Sequence, residues 1–126
     1  MDPIANFLNA LKMASRRGLA SFVFPYSRLI AAIAVALQKK GYIVSSKKSK
    51  RGHALEVALP TGEGALRVTA VKRISRLSKR MYQKSRTIRP VRNGFGAAVL
   101  STPKGVLSDM DAKAAKVGGE ILFEIW

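Results

Sequence analysis

No carboxylate occurs between Asp2 and Glu56, and none between Glu63 and Asp109. Any fold of this chain must therefore carry long runs of Lys and Arg on its surface, with no opposite charge nearby in sequence to offset them. An ordinary solvated face interleaves both signs. With 23 Lys and Arg against 7 Asp and Glu, for a net charge of +16, the chain presents a surface made to face a polyanion, either nucleic acid or an anionic membrane.

The core has to come from the rest. Of 126 residues 48% are hydrophobic, enough for one domain or two small lobes that share a core. Cysteine is absent, which removes disulfides, thiolate zinc sites and a cysteine nucleophile together and fits a reducing, cytoplasmic compartment. The longest apolar run, "LIAAIAVAL" (Leu29 to Leu37), has nine residues. A membrane span needs about 20, so this run reads as a buried helix and no membrane partner is expected.

Local patterns give an α/β (α+β) chain. Ile4, Phe7, Leu8 and Leu11 share one helix face after Pro3. "ASFVFP" is a short strand. "SRLIAAIAVALQKKG" is a second helix with Ser27 as N-cap, Lys39 and Lys40 at its negative end and Gly41 as its stop. "YIVSSKK" and "HALEVALP" form a hairpin around "SKRG", with Leu55, Val57 and Leu59 on one face. The turn-rich "TGEG" ends an N-terminal α-β-α-β-β lobe at residues 1–64.

Residues 65–126 read as a β-rich, mostly antiparallel lobe with one or two short helices. Its strands are "LRVTAVKRIS", "KRMYQK", "FGAAVLST", "GVLS" and "GEILFEIW", with a turn or helix at "TIRPVRNG". A helix from about Asp109 to Val117 is capped by Ser108 and closed by Gly118. Asp109 and Asp111 in its first turn explain two of the few acids, since negative charge there stabilises a helix by about 0.3–1 kcal/mol each. Glu120 is not explained that way.

The richest basic stretch, "KRISRLSKRMYQKSRTIRPVR" (Lys72 to Arg92), carries nine cations and no acid in 21 residues. Tyr82 lies among them, where it either packs in the core or stacks on a base; the sequence supports both equally. "STPKG" (Ser101 to Gly105) is either a polar turn or a loop whose hydroxyls read nucleic-acid shape beside a basic rim. Catalytic patterns are weak. His53 is the one histidine and lacks partner spacing, so it reads as a turn or strand-edge residue. Asp109 and Asp111 do not face one another on a helix, and "NGFGAAV" lacks the third glycine and the helix of a dinucleotide fingerprint. No enzyme, metal site, cofactor or small-molecule substrate is expected.

Ordered blocks along the chain resemble the small-subunit ribosomal protein S-eight family of bacterial type: "DPIANFLNALK", "KRISRLSKRMY", "GFGAAVLST" and "STPKGVLSDMDAKAAKVGGEILFEIW". The resemblance implies a two-lobed α/β ribosomal protein that binds a central-domain stem of small-subunit rRNA during assembly. It implies that Ser101, Thr102, Lys104 and Gly105 contact an irregular core of that stem from the minor-groove side. Tyr82 would stack nearby, Gly118, Gly119 and Glu120 would line the same pocket, and Lys79 and Arg80 would hold phosphates. Ser27, Arg28 and Lys12 would grip the backbone from the N-terminal lobe. Neighbouring ribosomal proteins, S-five among them, are implied partners, and family members also bind their own messenger RNA. Met1 directly before the first block fits a cytoplasmic protein without a transit peptide. Four departures stand out: Pro103 for a second serine, Leu77–Ser78 for a Pro-Gly turn, Met13 for Asn and Ile30 for Lys. The alternative is a basic nucleic-acid-binding protein without a ribosomal role.

Overall fold

A computed structural model describes residues 2–126. The element order matches the expected α/β class. Among the described residues, eight strands form two antiparallel sheets accompanied by three α-helices, and the chain divides into one unit running to Thr69 and a second, Ala70–Trp126.

In the first unit, helix α1 (Pro3–Arg16) begins where Asp2 accepts hydrogen bonds from the N–H groups of Ile4 and Ala5, relieving two orphan donors of the first turn. Its buried stripe of Ile4, Phe7, Leu8 and Leu11 is the predicted one. Phe7 meets Phe24 edge-on at 5.2 Å and Phe22 at 5.9 Å, which ties α1 to strand β1 (Ser21–Pro25). Helix α2 (Arg28–Lys39) starts at Ser27, whose Oγ accepts from Ile30 N at 3.1 Å, and stops before Gly41, at φ 88°. Strands β2 (Ser45–Lys48) and β3 (Ala54–Ala58) complete a sheet of order β1-β3-β2. Leu55, Val57 and Leu59 are buried as one face, each contributing about 1.5–3 kcal/mol.

Two expected strands come out shorter. Tyr42 and Ile43 are buried in the turn after α2, so β2 begins only at Ser45. "LRVTAVKRIS" pairs only over β4 (Val71–Arg73). Residues 65–69 stay with the first unit, because Val68 N donates to Ser15 Oγ at 2.9 Å and Arg67 to the Ser15 carbonyl at 3.0 Å.

In the second unit, strand β8 (Gly119–Ile125) is the spine. Strand β6 (Ala97–Thr102) pairs along one edge of β8 and carries β7 (Gly105–Ser108) beyond it. On the other edge β4 and β5 (Tyr82–Gln83) lie in line, at opposite ends of β8. Ala98, Leu100 and Ala112 pack with Ile88 and Val91, which come from the segment of two 3-10 turns, Ser85–Thr87 and Val91–Gly94. Helix α3 (Asp109–Ala114) is capped by Ser108 Oγ accepting from Asp111 N, as expected, but it ends earlier. Lys116 at φ 58° takes the left-handed position and closes the helix, not Gly118. Gly118 is needed for a different reason: a Cβ there would fall on the Gln83 carbonyl oxygen.

Candidate nucleic-acid interface

Cross-strand partners in an antiparallel sheet place their side chains on the same face. Tyr82 pairs with Glu120, Glu120 with Ser101, and Ser101 with Val106. The register therefore aligns Tyr82, Glu120, Ser101 and Val106 in one row across four strands. Three residues singled out from the sequence stand in that row.

Tyr82 is 71% exposed, which decides between its two readings: it is not a core residue. Its neighbours Gln83, Lys84 and Ser85, together with Gly118 and Gly119, line a groove of about 490 Å³. The two glycines serve the backbone before any ligand. A Cβ at Gly119 would fall on the Ser101 carbonyl oxygen, so only glycine lets β6 and β8 pair at this point.

"STPKG" forms the β6–β7 hairpin turn, with Thr102 opposite Gly105. Pro103 occupies the first central position, where its fixed φ suits the turn. Gly105 takes φ 109°. The Thr102 hydroxyl closes the turn from within, donating to the Gly105 carbonyl at 2.8 Å and accepting from Lys104 N at 3.1 Å. Its one proton is thus engaged locally, whereas no such bond holds the hydroxyl of Ser101 among the described residues. The exposed Lys104 sits at the tip.

Glu120 is the electrostatic centre of the row. Oε2 accepts from Ser75 Oγ at 2.5 Å and from Arg80 Nη1 at 2.7 Å. The fully buried Ser75 also accepts from Met81 N at 3.1 Å. Between Ser75 and Met81 the chain leaves the edge of β8 and turns back on itself. Arg76 and Lys79 exchange backbone hydrogen bonds at 2.9 and 3.1 Å around Leu77–Ser78, a two-residue turn in which neither central residue needs positive φ. Ser75 and Glu120 together close the base of this loop, which displays Arg76, Lys79 and Arg80. The Ser75 hydrogen bond, followed by the hydrogen bond and charge of Arg80 and the charge of Arg73, holds the Glu120 carboxyl below its ordinary range, against the opposing effect of burial. Arg80 is pushed up in turn, first by its hydrogen bond to Glu120 and then by the carboxylate's charge.

Ser75 carries no local sequence signal. Its partner lies 45 residues away, and a serine between Ile74 and Arg76 looks like any strand residue.

In the first unit, Ser27 and the exposed Arg28 stand at the start of α2, with the Ser27 oxygen engaged as N-cap. Lys12 is half-buried on α1. His53 is exposed just before β3, and its carbonyl accepts from Tyr26 N at 3.1 Å. Among the described residues no group of three or more His, Cys, Asp or Glu is placed to hold a metal ion, and no helix is long and apolar enough to cross a membrane.

Comparison with known proteins identifies a family. The sequence pattern of the family described as "Ribosomal protein S8" matches residues 2–126. A small ribosomal subunit protein uS8 from Ruegeria sp. (strain TM1040) is 40% identical over 128 aligned residues, covering 99% of this chain and 98% of that one. The protein of the same name from Cereibacter sphaeroides (strain KD131 / KCTC 12085) is 37% identical, with 99% and 98% covered. That from Novosphingobium aromaticivorans is 36% identical, with 99% and 97% covered.

Proposed function

The chain belongs to the ribosomal protein S8 family, and from that premise we propose that its second unit docks directly on a central-domain stem of small-subunit rRNA and helps assemble the subunit. As a small-subunit ribosomal protein of bacterial type it has a structural role and resides on the cytoplasmic ribosome, with rRNA and other ribosomal proteins as partners.

The row Tyr82–Glu120–Ser101, flanked by the cationic loop at Arg76–Arg80, carries this reading. Lys79, Arg80 and Lys104 neutralise phosphates and fix the register of the protein on the stem without reading sequence. Tyr82 offers an exposed ring on which a displaced base can stack. Ser101 supplies a hydroxyl that can donate to and accept from minor-groove edges and 2′-hydroxyls. Thr102 acts one step back by fixing the turn that presents Ser101 and Lys104. Glu120 likewise works by holding Arg80 and the loop, and Gly118 and Gly119 by keeping the strands close enough for the row to form. In the first unit, Ser27, Arg28 and Lys12 contact the RNA backbone.

A face that reads shape through so few groups also accepts a stem of matching shape in the chain's own messenger RNA, and S-five is the neighbouring protein within the subunit. The test is electrophoretic mobility of a Ser101→Ala/Tyr82→Ala variant against a central-domain stem and a scrambled duplex. A loss of about 2–4 kcal/mol on the stem, with little change on the duplex, is expected. Equal binding of variant and wild type to the stem would remove the assignment.

A further inference from the structure

The hairpin joining β2 and β3 is unused by the reading above, yet it carries the densest run of Lys and Arg in the first unit. Lys47, Lys48, Lys50 and Arg51 fall within five residues, and all four are exposed. None forms an ion pair among the described residues, although Glu56 lies directly across the sheet from Lys47. Lys50, Arg51 and His53 border a shallow groove of about 550 Å³ at the hairpin's end. Glu56 is the one carboxylate on the groove's lining, so the face stays strongly positive.

Two contacts join the hairpin to the start of α2. The Nζ of Lys48 lies 4.5 Å from the centre of the Tyr26 ring, and Tyr26 N donates to the His53 carbonyl at 3.1 Å. Pro25 pairs with Ala54 in the same sheet. Ser27 and Arg28 follow Tyr26 immediately. The helix start therefore adjoins the hairpin through Tyr26, over whose ring the exposed Lys48 is steadied.

We propose that this surface, Lys47 to Arg51 with Tyr26 and Arg28, is a second RNA-docking site that takes the phosphodiester backbone of a helix without reading its bases. The chemistry selects the backbone. Three of the four cations are lysines, mobile point charges suited to phosphates, and Tyr26 already has a cation over its ring. The proposal rests on the RNA-binding reading given above. It adds that the first unit contributes further affinity and salt dependence, while discrimination belongs to the second.

The test compares wild type, a Lys48→Gln/Lys50→Gln/Arg51→Gln variant and Ser101→Ala. Binding to the cognate stem with its flanking helices, and to a scrambled duplex, is measured across a salt series. All three hairpin positions are exposed, so folding is retained, which circular dichroism checks. The hairpin variant is expected to bind both RNAs about tenfold or more weakly, with a shallower dependence of log K on log salt, by about 2, and an unchanged ratio of stem to duplex affinity. Ser101→Ala is expected to do the reverse, lowering the ratio at constant slope. An unchanged salt slope in the hairpin variant would overturn the proposal, and so would loss of stem-to-duplex discrimination in that variant. Tighter binding of wild type to phosphatidylglycerol vesicles than to either RNA at equal salt would also overturn it, by assigning the surface to a membrane. If wild type itself did not discriminate between the two RNAs, the reading of the second unit would fail while the salt slope still reported on the hairpin.

Discussion

The hydroxyl of Ser75 lies 2.5 Å from the carboxylate of Glu120, across 45 residues of sequence, and donates its proton to it. The pair closes the base of a loop whose outer residues are Arg76, Lys79 and Arg80. A negative charge is thus kept in a strongly positive region to place positive charges.

Ser75→Ala leaves Met81 N–H without its acceptor and Glu120 without its nearest donor at a buried point. A loss of about 1–3 kcal/mol in urea unfolding is expected. Trypsin should also cut faster at Arg76 to Arg80 under native conditions. Unaltered stability and cleavage would show that the loop is held by other contacts.

The pH response follows from the lowered Glu120 carboxyl. Its pKa is depressed on folding, so the ionised carboxylate stabilises the native state above the unfolded value near 4.5. That contribution disappears as pH falls through the lower native value. The stability gap between wild type and Glu120→Gln should therefore be widest near neutrality and close progressively below about pH 4.5. A gap that stayed constant down to pH 3 would contradict the assignment.

Tyr82 separates binding from folding. Because its ring is 71% exposed, Tyr82→Ala should shift stability by no more than about 0.5 kcal/mol. Stem binding should weaken by about 1–3 kcal/mol, the scale of one lost stacking contact, and Tyr82→Phe should restore most of it. Failure of phenylalanine to rescue would point to the phenolic hydroxyl instead of the ring face.

Gly119→Ala tests the sheet itself. The added methyl meets the Ser101 carbonyl, a backbone atom that cannot swing aside. We expect a penalty of about 1–3 kcal/mol or more, seen as a fall in thermal midpoint, with stem affinity falling in parallel because the row loses its register. Normal stability would mean that β6 and β8 can pair without glycine here.

Legibility in the sequence followed the range of the forces involved. Helix α1 with its buried stripe, α2 with Ser27 and Gly41, and the β2–β3 turn all rest on neighbours within a few residues. Those elements were readable. The end of α3 was not, because a glycine two residues past Lys116 gave the stronger local stop signal while strand packing had claimed it. The strand at Leu66 to Ser75 shrank to Val71–Arg73 because Ser15, 53 residues upstream, captures Val68. For the recognition face, residue types and family resemblance supplied Ser101, Thr102, Tyr82 and Glu120, but not the register that aligns Tyr82, Glu120 and Ser101. Nor could they show that the Thr102 hydroxyl faces its own turn, or that Glu120 answers to Ser75. Those relations come from pairing across the sheet, which no local pattern encodes.

Strand β8 is the pairing partner of β4, β5 and β6, and it is synthesised after all of them. Three strands must therefore wait, with their edges open, for the segment that begins at Gly119. A nascent chain halted before that point could complete the unit ending at Thr69, while Tyr82 and Ser101 would have no common strand to bring them into line. Vectorial synthesis thus makes the stem-facing surface a late product, available only on chains that have been translated through it.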